Sequence, residues 1–370
     1  MRLVKEGQNI RGDYEVERFL GEGAFAEVYR VKHRFLGRQA MKIFKTSGMT
    51  IEETEQMLDE AILLSRIGHP NIIRVFDANI MDTARGPCGY FTMEYVAGGS
   101  LESFWRGYGV EFIPIETTVE IIRQVCRGLV IAHKEKPPII HRDIKPQNIL
   151  VGYDAEGLRV RVCDFGLAKR VNPLTLLASA RGTRNFKAPE AFKDIHSDSC
   201  AGDVWSVAST FYLLLTDRLP YGGEEEDDFD ILDARRFDCP MIPASRLNIQ
   251  VDSMLDQMLF RALAQDPKER YLNAMKLLED LEKWKPRPAS SQMRQLSGAS
   301  SETSKGALGQ HSPADEKQAR KMVREAFRLV RQPSKCGEAA DLLEEAFNKY
   351  PSLREEYEYQ LKLWRSGIVM

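Results

Sequence analysis

Two short segments near the middle of the chain constrain its fold and chemistry most. The first is HRDIKPQN, residues 141–148, which runs directly into the apolar residues 149–151. The second is DFG, residues 164–166, which begins sixteen residues after Asn148. A carboxylate beside a substrate hydroxyl, an amide and a second carboxylate for a metal form a set suited to phosphoryl transfer. Asn148 and Asp164 offer the hard oxygen ligands that Mg²⁺ prefers, so the two segments predict a metal-assisted transfer site.

Upstream residues could hold a nucleotide, although each signal is weak in isolation. Gly21 and Gly23 lie between two segments of strand character, where glycines let backbone N–H groups approach phosphate oxygens. A glycine-rich β-turn is the commoner explanation of such a match on its own. Lys42 lies in an apolar predicted strand, and Glu60 lies in a predicted helix over residues 52–67. An ion pair between these two side chains could position phosphates, whereas a lone glutamate more often lies on a solvated helix face.

The apolar periodicity changes from strand to helix along the chain. Residues 14–20, 26–31 and 39–44 read as strands, and further short strands end at Met93. From Glu116 onward most apolar residues recur at helical spacing. We therefore expect a small β-rich lobe followed by a larger helical lobe.

The composition shifts at Lys285. Residues 286–312 are rich in Ser, Gly and Gln with almost no large apolar groups, which predicts a flexible linker. We expect order to resume in a helix with Pro313 at its first position. A second helix is expected after Gly337, and a third is expected to begin with a capping box at Ser352.

These last helices have a weak tetratricopeptide-like half-pattern. Small and apolar residues recur at the spacing of that repeat's second helix, namely Ala339, Leu343, Ala346 and Pro351. Helical hairpins often show the same spacing. Because one repeat cannot bury its own apolar face, we expect residues 313–370 to contact the rest of the chain, another copy or a protein partner.

Composition argues against several other classes of protein. The net charge of −2 gives no whole-protein attraction to nucleic acid or anionic membranes. No apolar run approaches the roughly 20 residues needed to cross a bilayer, and the N-terminus lacks the apolar core of a signal peptide. The six cysteines are scattered without a C-x-x-C pair. This argues against zinc and a disulfide framework, and it predicts a reducing, cytoplasmic location.

Together, these motifs resemble those of the eukaryotic-type (Hanks-type) protein serine/threonine kinase family over residues 10–285. The resemblance implies an α+β, bilobal kinase domain over residues 1–285, with ATP between the lobes. The β-rich N-lobe would cover residues 10–96, and the helical C-lobe would cover residues 97–285. A short all-α unit would follow over residues 313–370.

The resemblance also assigns roles to residues by position. Asp143 corresponds to the catalytic base, Lys145 to a positive charge beside the transferring phosphate, and Asn148 and Asp164 to metal ligands. Asn148 also belongs to the nucleotide site. The other positions are the phosphate-binding lysine and its glutamate partner, the glycine-rich loop, the walls of the adenine site and the hinge: Lys42, Glu60, Gly21, Glu22, Gly23, Val28, Ala40, Leu150, Met93, Glu94 and Val96.

Two residues resemble the serine/threonine-specific branch. Lys145 can neutralise the transferring phosphate, and Thr183 can hydrogen-bond the base. The resemblance implies ATP and Mg²⁺ as cofactors, with Mn²⁺ as an alternative metal, and proteins as substrates. A pseudokinase scaffold is disfavoured because every expected catalytic residue is present. A small-molecule phosphotransferase with a kinase-like fold is disfavoured by the segment APE at residues 188–190.

Regulation is suggested by Arg142, because an arginine before the base often pairs with a phosphate on the activation loop in this family. Thr175 and Ser179 lie in that loop and are the expected phosphorylation sites. Ala26 and Phe186 depart from the usual family pattern, which leaves the peptide preference open.

Overall fold

A computed structural model describes residues 2–23, 26–45, 58, 67–83, 86–109, 112–165, 185–194, 197–221, 234–286, 313–330, 332 and 335–368. Within these ranges, the alternating N-terminal sequence forms an antiparallel sheet in the spatial order β1-β2-β3-β4-β6-β5. Its strands are β1 (Asn9–Ile10), β2 (Tyr14–Glu22), β3 (Ala26–His33), β4 (Gly37–Phe44), β5 (Val75–Thr83) and β6 (Gly86–Glu94). The strands predicted from the sequence are all found, with ends that differ by a few residues.

Strand β4 shows how the sheet divides its side chains. Met41 and Ile43 enter a core within the N-lobe that also contains Tyr29 and Tyr90. Lys42 lies between them in sequence, and side chains of a strand alternate between its faces. Lys42 therefore points the other way, where its ammonium group meets the C-lobe.

Helices dominate the chain after β6. The described helices are α1 (Leu101–Arg106), α2 (Ile115–Lys134), α3 (Glu190–Lys193), α4 (Cys200–Thr216), α5 (Ala244–Leu247), α6 (Ser253–Ala262) and α7 (Ala274–Lys283). A hairpin of β7 (Ile149–Asp154) and β8 (Gly157–Val162) and two 3₁₀ turns (Pro146–Asn148 and Ala234–Asp238) complete the C-lobe. The stripe of apolar residues predicted for α2 is buried: Ile122, Val125, Leu129 and Ala132.

Helix α4 lies at the centre of the C-lobe. Ser199 caps its N-terminus by accepting a hydrogen bond from the Gly202 N–H at 3.1 Å. Asp217 ends it in a left-handed conformation, with φ of 56°. Almost every residue of this helix is buried, which makes it a rigid base for the loops above.

The C-terminal helical unit consists of α8 (Pro313–Leu329), α9 (Cys336–Lys349) and α10 (Leu353–Arg365). These helices share a core of their own, whose largest buried side chains are Leu343, Phe347 and Trp364. Tyr153 of β7 packs against this core from the C-lobe. The unit therefore leans on the kinase domain, one of the three kinds of cover expected from the sequence.

Two expectations about helix ends are wrong. Helix α9 begins at Cys336, before Gly337. The side chain of Ser352 makes no cap hydrogen bond, because Ser352 itself has helical dihedrals. Backbone carbonyls of Tyr350 and Pro351 instead accept the N–H groups of Leu353 and Arg354, at 3.2 and 2.8 Å.

Most of the helix predicted over residues 52–67 lies outside the described residues; Leu58 is helical and Ile67 is not. Within the described part of the chain, no helix is both long and apolar enough to cross a membrane.

Candidate active site

The backbone of the HRD segment is fixed from below by Asp203 of α4. One carboxylate oxygen accepts the His141 N–H at 2.8 Å, and the other accepts the Arg142 N–H at 2.9 Å. Arg142 has a positive φ of 71°, which is a costly conformation for a residue other than glycine. Asp203 thus holds a strained loop in place, and His133 contacts the same carboxylate at 2.9 Å.

His141 joins the HRD segment to the DFG segment. Its Nδ1 accepts the Asp143 N–H at 3.2 Å, so its Nε2 must carry the hydrogen donated to the Cys163 carbonyl at 2.9 Å. Burial lowers the pKa of His141, which agrees with this neutral tautomer. The ring also lies 4.4 Å from that of Phe165, between centroids. Asp143 and Asp164 are therefore held in a fixed relation.

The carboxylate of Asp143 is oriented by its own loop. Its Oδ2 lies 2.9 Å from the Lys145 ammonium and accepts a hydrogen bond from Asn148 Nδ2, also at 2.9 Å. The same amide nitrogen donates to the Asp143 carbonyl at 2.8 Å, so the amide oxygen of Asn148 is turned away from Asp143. This arrangement suits Asp143 as a proton acceptor beside an oxygen ligand for a cation.

Asp164 and Lys42 form the contact between the lobes at this site. Lys42 Nζ lies 2.8 Å from Asp164 Oδ1, and both side chains are largely buried. Burial raises the pKa of Asp164, but the Lys42 charge outweighs it and holds the net pKa below its usual value. Asp164 also has a positive φ of 64°. A charged carboxylate and an ammonium thus face each other across the cleft.

Apolar residues form the walls of the cleft where a base could insert. Ala40 and Met93 are cross-strand partners in β4 and β6 and are both buried. Val28 and Leu150 are half-buried and belong to the same core. The predicted adenine-site residues of the two lobes are therefore parts of one apolar cluster.

The glycine-rich segment leaves room beside the sheet. Gly21 pairs with Val28 across β2 and β3, and the Gly23 N–H donates to the Ala26 carbonyl at 2.8 Å. A Cβ at Gly21 would meet no heavy atom within 4 Å, so the protein's own packing does not demand glycine there. This is the pattern expected if the open space serves a ligand. Glu22, the third residue predicted here, ends β2 and contacts Lys45.

The residues that would receive an adenine lie between β6 and α1. We call residues 94–98 the hinge. The side chain of Glu94 accepts a contact from Arg161 of β8 at 2.6 Å, and the Gly99 N–H donates to the Val96 carbonyl at 3.2 Å. The hinge is thus bonded to the C-lobe on its lower side.

Four predicted residues lie outside the described residues. They are Glu60, Thr183, Thr175 and Ser179. Arg142, the predicted phosphate partner, is described: its Nε lies 2.7 Å from Asp198 Oδ2. The predicted pair of Arg270 and Glu190 is present as a fork of two hydrogen bonds, at 2.6 and 2.7 Å.

Sequence reasoning missed several residues that contact the site. Lys187 donates to the Arg142 carbonyl at 2.8 Å, and Asp198 pairs with the Arg142 side chain. Both lie close to the APE segment, a signal that could have prompted the search. Glu345, which accepts a hydrogen bond from Tyr95 of the hinge at 2.9 Å, lies 250 residues away and carries no local signal.

The fold and the site together define a bilobal phosphotransferase, with an ammonium, two carboxylates and an amide placed between the lobes. Residues 14–281 match the family model described as protein kinase domain, and the chain belongs to the protein kinase family. Membership implies use of ATP with a divalent cation.

The relatives agree with this assignment. The chain is 32% identical over 286 residues to a probable serine/threonine-protein kinase of Clostridium perfringens, covering 76% of this chain and 40% of that one. It is 30% identical over 280 residues to serine/threonine-protein kinase PknB of Mycolicibacterium smegmatis, covering 74% and 43%. This chain therefore spans about two fifths of the length of these curated relatives. The crystal structure of the Mycobacterium tuberculosis PknI kinase domain has the same fold, with a TM-score of 0.56 and 24% identity over 76% of this chain and 98% of that one.

Proposed function

We propose that this protein is an ATP- and Mg²⁺-dependent serine/threonine kinase that phosphorylates proteins. The observation that carries the proposal is the arrangement of Asp143. One of its carboxylate oxygens is held by Lys145 and Asn148, while the ion pair of Lys42 and Asp164 lies in the same cleft. The names of the relatives, which include serine/threonine kinases, support the choice of substrate class.

In this mechanism the chain's own residues position the reactants and move one proton. Lys42 binds phosphate oxygens of ATP, and the N–H groups around Gly21 and Gly23 cover them. Asp143 orients the substrate hydroxyl and accepts its proton as the oxygen attacks the γ-phosphorus in line. Lys145, 2.9 Å from Asp143, then lies beside the transferring group and offsets its negative charge.

The metal would be held by Asp164 and Asn148. Their carboxylate and amide oxygens are hard donors, which fits Mg²⁺, with Mn²⁺ as a second candidate. When bound, the cation supplies positive charge that offsets the charge of the phosphate oxygens.

The direct test is transfer of label from ATP. Full-length protein is incubated with Mg²⁺, γ-labelled ATP and peptides that differ only in a Ser, Thr or Tyr acceptor. We expect label on the Ser and Thr peptides and loss of transfer when the metal is chelated. Label on the Tyr peptide alone would contradict the substrate class. Label on an aminoglycoside but on no peptide would favour the small-molecule alternative, and nucleotide binding without any transfer would favour the pseudokinase scaffold.

We further propose autophosphorylation on Thr175 or Ser179, followed by pairing of the phosphate with Arg142. The support is that Arg142 already binds a carboxylate, Asp198, at 2.7 Å, so the guanidinium accepts an anionic partner in this position. Mass spectrometry of the autoreaction should find phosphate on one of the two residues. Unchanged activity and unchanged phosphosites in the double variant Thr175→Ala, Ser179→Ala would contradict this.

The boundaries expected from the sequence remain part of the proposal. They place the kinase domain at residues 1–285, a flexible linker at 286–312 and a tetratricopeptide-like unit at 313–370. The buried positions of Ala339, Leu343 and Ala346 support that last comparison. We also propose that the outer face of the unit binds a protein partner or a second copy. A cytoplasmic location is supported by the six free cysteines.

A further inference from the structure

Helix α9 contacts both lobes and the hinge at once. Glu345 meets the N-lobe, where its carboxylate lies 2.8 Å from Arg30 of β3. Asn348 donates to the Gly98 carbonyl of the hinge at 2.6 Å, and Glu344 accepts the Tyr153 N–H of β7 in the C-lobe at 3.2 Å. These three residues lie within about one turn of helix, so a single rigid element touches three parts that move when a cleft opens.

The N-lobe surface beneath α9 is built to receive a carboxylate. Arg18 and Arg30 are direct cross-strand partners in β2 and β3. Like charges placed opposite each other destabilise a sheet unless an anion offsets them. The Glu345 carboxylate lies 3.0 Å from Arg18 and 2.8 Å from Arg30, and its side chain is only 10% exposed. It thus offsets both guanidinium charges where solvent screens little.

The rest of the contact also depends on opposite charges. Glu338, Asp341 and Glu345 recur at helical spacing along one face of α9. Arg38 of β4 lies 3.5 Å from Asp341 and 3.9 Å from Glu338. The acidic face of the helix therefore follows the basic surface of three strands, while its apolar face is covered inside the helical unit.

Tyr95 links this contact to the nucleotide site. Its hydroxyl donates to Glu345 at 2.9 Å and accepts from Arg18 at 3.2 Å. Burial, together with the Glu345 charge, raises the pKa of Tyr95 to about 12, so the hydroxyl keeps its proton. Tyr95 stands between Glu94 and Val96, the hinge residues assigned to the adenine.

We propose that Glu345 is a positioning residue for the nucleotide, which acts by holding Tyr95 and the hinge backbone against the N-lobe. Helix α9 is then a brace across the hinge that fixes the cleft for ATP. The inference rests on the proposed function for the location of the adenine. A hinge that is fixed beforehand loses less conformational freedom on binding, so the brace strengthens nucleotide affinity.

The test uses full-length protein with Glu345→Gln, Tyr95→Phe and both together. The probe is a fluorescent ATP analogue with Mg²⁺, titrated at equilibrium. We expect each single variant to raise the Kd roughly three- to tenfold, and the double variant to be no worse than either, because both remove one interaction. The KM for ATP should rise by the same factor, while kcat and the KM for peptide stay constant.

The matched control is Glu356→Gln, the same substitution on α10. Glu356 pairs with Arg320 at 3.4 Å within the helical unit, and both are well exposed. It should leave the Kd unchanged. A wild-type Kd in Glu345→Gln, with only a lower melting temperature, would overturn the brace. Because binding needs no transfer, a wild-type protein that binds the analogue but phosphorylates nothing would overturn the proposed function, while raised Kd values would still support the brace.

Discussion

Lys42 and Asp164 show how a single pair of residues sets the charge of the cleft. Without the ammonium at 2.8 Å, burial alone would raise the pKa of Asp164 and favour its neutral form. A neutral carboxyl is a poor ligand for a divalent cation. Lys42 therefore has two consequences, since it binds phosphate and keeps Asp164 charged.

We predict that Lys42→Met gives a folded protein whose kcat falls by at least roughly 100-fold, since a positive charge on the phosphates is lost. Circular dichroism establishes the fold, and labelled ATP measures the turnover. Lys32→Met is the matched control, because Lys32 lies exposed on the adjacent strand β3. Normal turnover in Lys42→Met would show that another cation takes this role.

Glu344 predicts how stability depends on pH. It is almost fully buried, and its Oε2 atom is without a hydrogen-bond partner. Burial raises its pKa to about 7, although Arg365 of α10 opposes this and Asp341 adds to it. The Tyr153 N–H of β7 faces the same carboxyl group.

The folded state therefore holds a proton on Glu344 that the unfolded state releases between its usual pKa and about 7. The contribution of Glu344 to stability is greatest below that window and falls as pH rises through it. We predict that the melting temperature of wild type, relative to Glu344→Gln, decreases between pH 5.5 and pH 8, a range of about 2.5 units that contains the shifted pKa. Parallel curves for the two proteins would contradict the assignment.

Among single residues, those near a motif could be predicted and those remote from it could not. Asp143, Lys145 and Asn148 lie within one short loop, so their spacing alone fixes which groups meet. Glu345 reaches Tyr95 only after the whole N-lobe and helical unit have folded. Nothing in the local sequence of either residue indicates the other.

At the scale of elements, α4 supports the catalytic loop. Asp203 is fully buried and accepts the N–H groups of His141 and Arg142. Burial raises its pKa, but His133 and the backbone donors outweigh burial and lower it overall. The helix thus delivers a fixed anion to a loop that would otherwise relax.

We predict that Asp203→Asn lowers kcat at least roughly tenfold and destabilises the protein by about 3 kcal/mol, as expected when one partner of a buried charged network is removed. An asparagine has one acceptor oxygen, so it cannot satisfy both N–H groups with equal geometry. Urea unfolding and amide exchange at His141 and Arg142 measure the two effects. Unchanged exchange at these amides would show that the loop holds its shape without α4.

The strands and long helices could be predicted because each has a regular apolar period. The helix ends could not, since they depend on which group satisfies the first N–H donors. At α10 a backbone turn from Tyr350 and Pro351 does so, and the Ser352 side chain is not needed. The capping-box pattern is therefore present in the sequence but is not formed.

The whole molecule is a kinase domain with a helical unit docked across its hinge. The bilobal fold followed from motif order, and the existence of three C-terminal helices followed from periodicity. The docking did not, because it depends on complementary charges at Arg18, Arg30 and Glu345, which are far apart in sequence. We had expected an apolar face to need cover, whereas most of the apolar surface is buried within the unit itself.

The central claim is that Asp143 is the base of a working kinase site, and Asp143→Asn tests it most directly. Nucleotide affinity and phosphoryl transfer are measured side by side on the full-length protein and this variant. We predict transfer to Ser or Thr by wild type, and a variant that binds Mg²⁺-ATP nearly as well but transfers phosphate roughly 10²- to 10⁴-fold more slowly. Transfer at the wild-type rate by the variant, or nucleotide binding without any transfer by wild type, would contradict the account.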